Sequence, residues 1–171
     1  MTRSSHQGFT LIETLVAISV LVIAIVVPLR VISQSLKSAS FTRESITAAH
    51  LAQEGVELMN IAVASSTGDL NTYWDWDTST YPQSGFSFEP ITRELIHCDS
   101  TSANPCKMYL GEEGYTHAIT ASTTPFARAL YVRLNDVDPL RVAVESVVTW
   151  RNVFGVTSTS SRTVWFYNRY E

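Results

Sequence analysis

"QGFTLIETLVAISVLVIAIVV", residues 7–27, holds one charged residue, Glu13, in a stretch otherwise fit for the interior of a bilayer. Residues 28 and 29 add no second charge. As a helix, 9–29 covers about 30 Å, the thickness of a hydrocarbon core, so the stretch predicts a membrane-spanning helix. Only "MTRSSHQG" stands before it, ending in Gly8. A secretory signal peptide would need a shorter apolar core and a small-residue cleavage site. "SAS" at 38–40 offers such a site, but Arg30 and Lys37 lie between it and the apolar run. A plain single-pass anchor leaves Glu13 without an explanation. A buried core helix is weaker still, because the run is longer than a domain of this size needs to hide.

The chain has 171 residues, room for one ordinary domain, and is 45% hydrophobic and 16% charged. Soluble domains carry about 25% charged residues, and the apolar excess here is concentrated in the first thirty positions. A net charge of −4 argues against a nucleic-acid surface, which needs a basic stripe.

Gly8, then "FTLIE" at 9–13, then the uninterrupted apolar run resembles the precursors of type IV pilins and the related pseudopilins. The resemblance implies a leader at 1–8, removed by a prepilin peptidase that cuts after Gly8. Phe9 would become the new N-terminus and be N-methylated. It implies a role for Glu13 as well. A carboxylate at the centre of a membrane helix costs about 2.5–3.5 kcal/mol, less near an end. Cleavage creates a cation to offset that cost, the α-amino group of Phe9, protonated at neutral pH. In the family the favoured partner is the amine of a neighbouring subunit, which sets the register between helices. A paired charge in an apolar bundle argues for register more than for net stability. The leader offers only Arg3 against Arg30, Lys37 and Arg43 beyond the run, so orientation rests on the resemblance and not on charge counting. Pro28 either kinks the helix, freeing a carbonyl near Ala24, or marks the end of the membrane segment.

From 30 to 64 no further proline occurs. Leu51, Leu58, Met59 and Ala62 recur at helical spacing, with Arg43, Glu44, His50, Gln53, Glu54 and Glu57 opposite. This predicts an amphipathic continuation of the membrane helix, ended by "SSTGDL" at 65–70. The tail has period two instead. In "LRVAVESVVTW" (140–150), Leu140, Val142, Val144, Val148 and Trp150 share a face, with Arg141, Glu145, Thr149 and Arg151 off it. "FARALYVRL" (126–134) and "RTVWFYNRY" (162–170) flank it as further strands, joined by "NDVDP" and "NVFGVTSTSS" into an antiparallel meander. The expected fold is α+β: a long N-terminal helix packed on a C-terminal antiparallel sheet, the head occupying 65–171. Helix first and sheet second is the pilin order.

The middle of the chain is less patterned. "FSFEPITRELIHC" and "CKMYLGEEGYTHAIT" suggest two short strands joined by the loop between Cys98 and Cys106, eight positions apart. A disulfide there would be worth about 2–3 kcal/mol by chain entropy, and an exported domain favours it over free thiols. Tyr73, Trp74 and Trp76 either form a partner- or glycan-binding loop or pack beneath it. The acids of "DWD" (75–77) with Glu112 and Glu113 match no calcium loop and suit a solvated surface. His6, His50, His97 and His117 fall into no metal-binding spacing, and no nucleophile elbow, phosphate loop or CxxC pair occurs. No catalytic residue, metal or cofactor is expected.

The expected partners are other pilin subunits in a homo- or hetero-filament, the prepilin peptidase, the pilus assembly machinery and, before assembly, inner-membrane lipid. The precursor would sit in the inner membrane with its head outside the cytoplasm, and later in a surface pilus or a periplasmic pseudopilus. The absence of a long cysteine-bounded C-terminal loop favours a minor pilin or a secretion pseudopilin over a major pilin. The reading from another class is a membrane-anchored extracytoplasmic binding domain.

Overall fold

The computed structural model describes residues 10–65, 85–98, 106–119, 122–134 and 141–167. Its contacts divide the chain into two compact units, Met1–Ser40 and Phe41–Glu171. One helix, α1 (Leu11–Ser65), enters both. In the first unit the helix buries nothing: its leucines, isoleucines and valines from Leu11 to Leu36 are exposed, and mean hydropathy reaches 2.8. Hydroxyls within this apolar stretch are satisfied by the helix itself. Thr14 donates to the Leu11 carbonyl at 2.8 Å, Ser19 to Val16 at 2.8 Å and Ser33 to Leu29 at 2.9 Å. Such back-bonding lets polar side chains sit in lipid without an unmet donor. Pro28 lies inside the helix and not at its end. Its missing N–H removes the intrahelical donor to the Ala24 carbonyl.

In the second unit the same helix becomes one-sided. Ala48, Leu51, Ala52, Gly55, Leu58 and Met59 are buried, a stripe at spacings of three and four. It lies against an all-antiparallel sheet of seven strands: β1 (Phe86–Phe88), β2 (Leu95–His97), β3 (Lys107–Leu110), β4 (Tyr115–Thr116), β5 (Ser122–Leu134), β6 (Arg141–Arg151) and β7 (Thr157–Tyr167). The meander β5–β6–β7 forms as the alternation demands, and Val142, Val144, Val148 and Trp150 of β6 face the core. The other edge of β5 is shared. β3 pairs with its N-terminal half and β1 meets it at Leu130, so the hairpins β3–β4 and β1–β2 stand side by side. The α+β architecture expected from the sequence is the one observed.

Three details differ from expectation. The segments on either side of the cysteines are each a hairpin, giving four short strands instead of two. "EPITRE" and "GEEG" hold their own turns: Glu89 accepts from the Arg93 N–H at 2.8 Å, and Gly111 donates to Gly114 at 2.8 Å. Gly114 has φ 128°, open to glycine alone at little cost. The Cys98–Cys106 disulfide, with Cα atoms 5.0 Å apart, therefore links two hairpins and does not close one. β7 also begins earlier than its aromatic residues suggest. "TSTSS" pairs with β6 through Val147–Arg151, leaving a turn of only Asn152–Val156. Asn152 shapes that turn, its Oδ1 accepting from the Phe154 and Val156 N–H groups at 3.0 and 3.1 Å. Finally, Glu54 is not on the solvated face. It is half-buried against the sheet, for a reason given below.

Candidate functional site

Two places carry residues that chemistry can use, one in each unit. The first is the start of α1. Thr10 caps it: the Glu13 N–H points to the Thr10 carbonyl at 3.0 Å and to its Oγ1 at 3.4 Å. "TLIE" has the spacing of a capping box, in which the acid would return a bond to the Thr10 N–H. No such bond forms, and among the described residues the Glu13 carboxylate has no partner. It stands exposed in the first helical turn, where the positive end of the helix dipole favours an anion. The helix thus explains why an acid is tolerated at this position, and among the described residues nothing matches its charge. Gly8 and Phe9 lie outside the described residues, as do Tyr73, Trp74 and Trp76.

The second place lies inside the head. The core is two apolar clusters. One gathers Ala48, Leu51, Ala52, Met108, Phe126, Val148 and Trp150, the other Leu58, Met59, Phe86, Phe88, Leu130, Val142 and Val144. Along each element the residue between the clusters is small or polar: Gly55 on α1, Arg128 on β5, Ser146 on β6. Arg128 has no exposed surface. Its guanidinium donates from Nη2 to the Phe88 carbonyl at 2.9 Å, from Nε to Ser87 Oγ at 3.3 Å and from Nη1 to the Leu51 carbonyl at 3.4 Å. Nη1 also lies 3.3 Å from Glu54 Oε2. One planar donor fork therefore ties the helix, β1 and β5 together. Burial pushes the Glu54 carboxyl above its ordinary value, opposed by the neighbouring guanidinium; burial likewise lowers Arg128, opposed by Glu54. In both groups the cost of burial outweighs what the partner returns, so the pair is weak evidence for net stability.

Gly55 leaves room for Ser146 and for the stem of Arg128. A Cβ there would collide with Ser146 Oγ and lie 3.1 Å from Arg128 Cδ and 3.2 Å from Ser146 Cβ. Alanine gains about 1 kcal/mol of helix propensity, while overpacking costs about 1–3 kcal/mol. Gly55→Ala is expected to lower the denaturation midpoint of the head, and a second change, Ser146→Gly, to recover most of the loss. No recovery would show that the crowding lies elsewhere.

The polar row continues to His117. Its Nδ1 lies 2.9 Å from the Lys107 carbonyl, which can only accept, so Nδ1 carries the proton. Nε2 then accepts from the Ser87 hydroxyl at 2.9 Å. Glu89 closes the network, accepting from Thr116 Oγ1 at 2.6 Å and from the His117 N–H at 2.8 Å. Ser87 beside an imidazole has the outline of a nucleophile and its base. Here the hydroxyl has no exposed surface, and the far ring nitrogen meets a carbonyl where an orienting carboxylate would be. No substrate reaches Ser87 in this arrangement; the pair holds β1 to the strand β3.

Burial keeps the His117 imidazole below its ordinary value of 6.5, reinforced by the Arg128 charge; the Lys107 carbonyl and Glu89 pull the other way. The folded head thus takes up a proton less readily than the unfolded chain. The stability tied to His117 is present above about pH 6.5 and is lost as pH falls below that value. Glu54, raised from 4.5, acts in the opposite sense: its share is full below that value and lost as pH rises through its folded value. Urea midpoints at pH 7.5 and 5.5 should differ by the His117 contribution, and His117→Gln should flatten that difference. An unchanged difference would assign the pH dependence to other groups.

Sequence reasoning did not single out Ser87, Glu89, His117 or Arg128. The one available signal was Arg128 itself, which shares a strand face with Phe126 and Leu130, an arginine in the apolar phase of a period-two pattern. Among the described residues no group of three metal-ligating side chains comes together.

Comparison with known proteins adds one finding. Residues 3–27 match the family model described as the prokaryotic N-terminal methylation motif. The match spans the region containing Gly8, Phe9 and Glu13, and with the helix-on-sheet architecture it supports a type IV pilin- or pseudopilin-like prepilin. No curated protein and no solved structure matches the chain.

Proposed function

We propose that this chain is a structural subunit of a type IV pilus or related filament, assembled through its N-terminal helix. The observation that carries the reading is the coincidence, at one helix start, of the methylation motif, a membrane-length helical stretch whose leucines, isoleucines and valines are all exposed, and a Glu13 carboxylate with no partner among the described residues. A prepilin peptidase cuts after Gly8 and methylates Phe9. Until then the apolar helix holds the precursor in the inner membrane. During assembly, lipid contacts of the exposed leucines, isoleucines and valines are exchanged for contacts with neighbouring helices. That exchange gains little by itself, so extraction needs external work from the assembly machinery. Glu13 paired with the Phe9 amine of a neighbour sets the axial register. Pro28, without an N–H, supplies a point at which the helix can loosen.

Within the family we favour a minor pilin. A secretion pseudopilin is the second reading, supported by the same motif and the same head. The two separate on where the assembled subunit is found. An epitope-tagged copy, expressed with its own assembly machinery, is expected in filaments sheared from the cell surface. Recovery only in periplasmic assemblies would assign a pseudopilin, and recovery only as membrane monomer would contradict a filament subunit altogether.

A further inference from the structure

The outer edge of β7 is an open strand edge among the described residues. β7 pairs with β6 without a break in register from Arg141↔Tyr167 to Arg151↔Thr157, and its other edge has no partner strand among the described residues. Natural sheets protect such edges with proline, bulges, short strands or inward charges. Apart from a single charged side chain, β7 uses none of these. It is 11 residues long, has no proline, glycine or bulge, and carries one charge, Arg162. The side chains at 157, 159, 161 and 163 are hydroxyl-bearing and exposed, and Trp165 and Tyr167 follow at 52% and 55% exposure. This row has high β-propensity and ends in two aromatic platforms.

Charge selects the occupant. The charged residues of β6 and β7 are Arg141, Arg151, Arg162 and Glu145, and the Glu145 carboxylate is held by Arg133 at 2.9 Å. The β6 arginines are engaged, Arg141 over the Tyr167 ring at 5.0 Å and Arg151 donating to the Gly155 carbonyl at 3.1 Å, so in a chain of net charge −4 the one charge carried by the edge strand itself is positive, Arg162. A second copy adding its own β7 would bring a second Arg162 to the same edge. We infer that the β7 edge receives an extended, acidic segment of another polypeptide by strand addition, its backbone bonding to β7 and its carboxylates facing Arg162. Main-chain bonds would supply affinity, and Arg162 and the aromatic pair would supply selection. The inference does not depend on filament assembly and stands or falls separately.

The test uses the full-length chain in detergent micelles and three fluorescent peptides. One alternates valine and glutamate, one is its copy methylated on alternate backbone nitrogens, and one alternates valine and lysine. The glutamate peptide is expected to bind and to slow hydrogen exchange at β7 amides while leaving β3 and β4 unchanged. Backbone methylation is expected to abolish binding, and the lysine peptide to bind at least tenfold more weakly. Arg162→Glu is expected to invert the preference between the two charged peptides. Absence of binding, binding that survives backbone methylation, or protection away from β7 would overturn the inference. Protection of β7 that grows with protein concentration without peptide would assign the edge to a second copy and overturn the acidic occupant.

Discussion

Arg128→Ala is expected to destabilise the head by about 3–5 kcal/mol, a large share of the 5–15 kcal/mol that holds a typical domain together. Three effects add. The Phe88 and Leu51 carbonyls and the Ser87 hydroxyl lose their donor in a place that water does not reach. Glu54 keeps a half-buried charge with its cation gone. A cavity opens where the two apolar clusters meet. Arg128→Met separates these effects, because it fills most of the space yet offers no donor. It should therefore fall between the wild type and alanine. Denaturant unfolding of the chain in micelles, followed by near-ultraviolet circular dichroism, reads the order. A loss below about 1 kcal/mol for alanine would show that the fork is not what joins helix to sheet.

Glu13→Ala is expected to leave the head fold and cleavage after Gly8 intact while cutting incorporation into filaments at least tenfold. Among the described residues the carboxylate has no partner, so nothing in the described part of the head depends on it. Charge pairs at protein interfaces couple by about 1.5–7 kcal/mol, and even the low end corresponds to about tenfold in an equilibrium. Glu13→Gln keeps the shape and removes the charge, and should behave like alanine if the partner is a cation. Quantifying subunit against precursor by immunoblot of sheared filaments and membranes gives the ratio. Wild-type incorporation of either variant would remove the register role from Glu13.

How much of this was legible in the sequence depended on whether a signal was repeated. The membrane helix and β6 each carry many residues saying the same thing, and both were readable from hydropathy and alternation. β1 and β2 have three residues apiece, too few for a period to show. Only the turn residues Pro90, Gly111 and Gly114 hinted that each flank of the cysteines doubles back. "TSTSS" looked like a linker because its residues are polar, yet an edge strand exposes one face and one side, and hydroxyl residues serve both. Glu54 illustrates the deeper limit. Its helical phase places it beside the buried stripe, and whether it is solvated depends on a residue 74 positions later, Arg128. The start of α1 was readable for another reason. A lone acid in an apolar run violates local chemistry, and the methylation motif found at residues 3–27 covers that position.

Cleavage and methylation at the N-terminus underlie the whole assignment, and intact-mass measurement with N-terminal sequencing addresses them together. Protein from cells with an active prepilin peptidase is expected to begin at Phe9 and to weigh one methyl group more than the unmodified chain from that residue. Material that keeps residues 1–8 under those conditions, or that begins near residues 39–41, would contradict it.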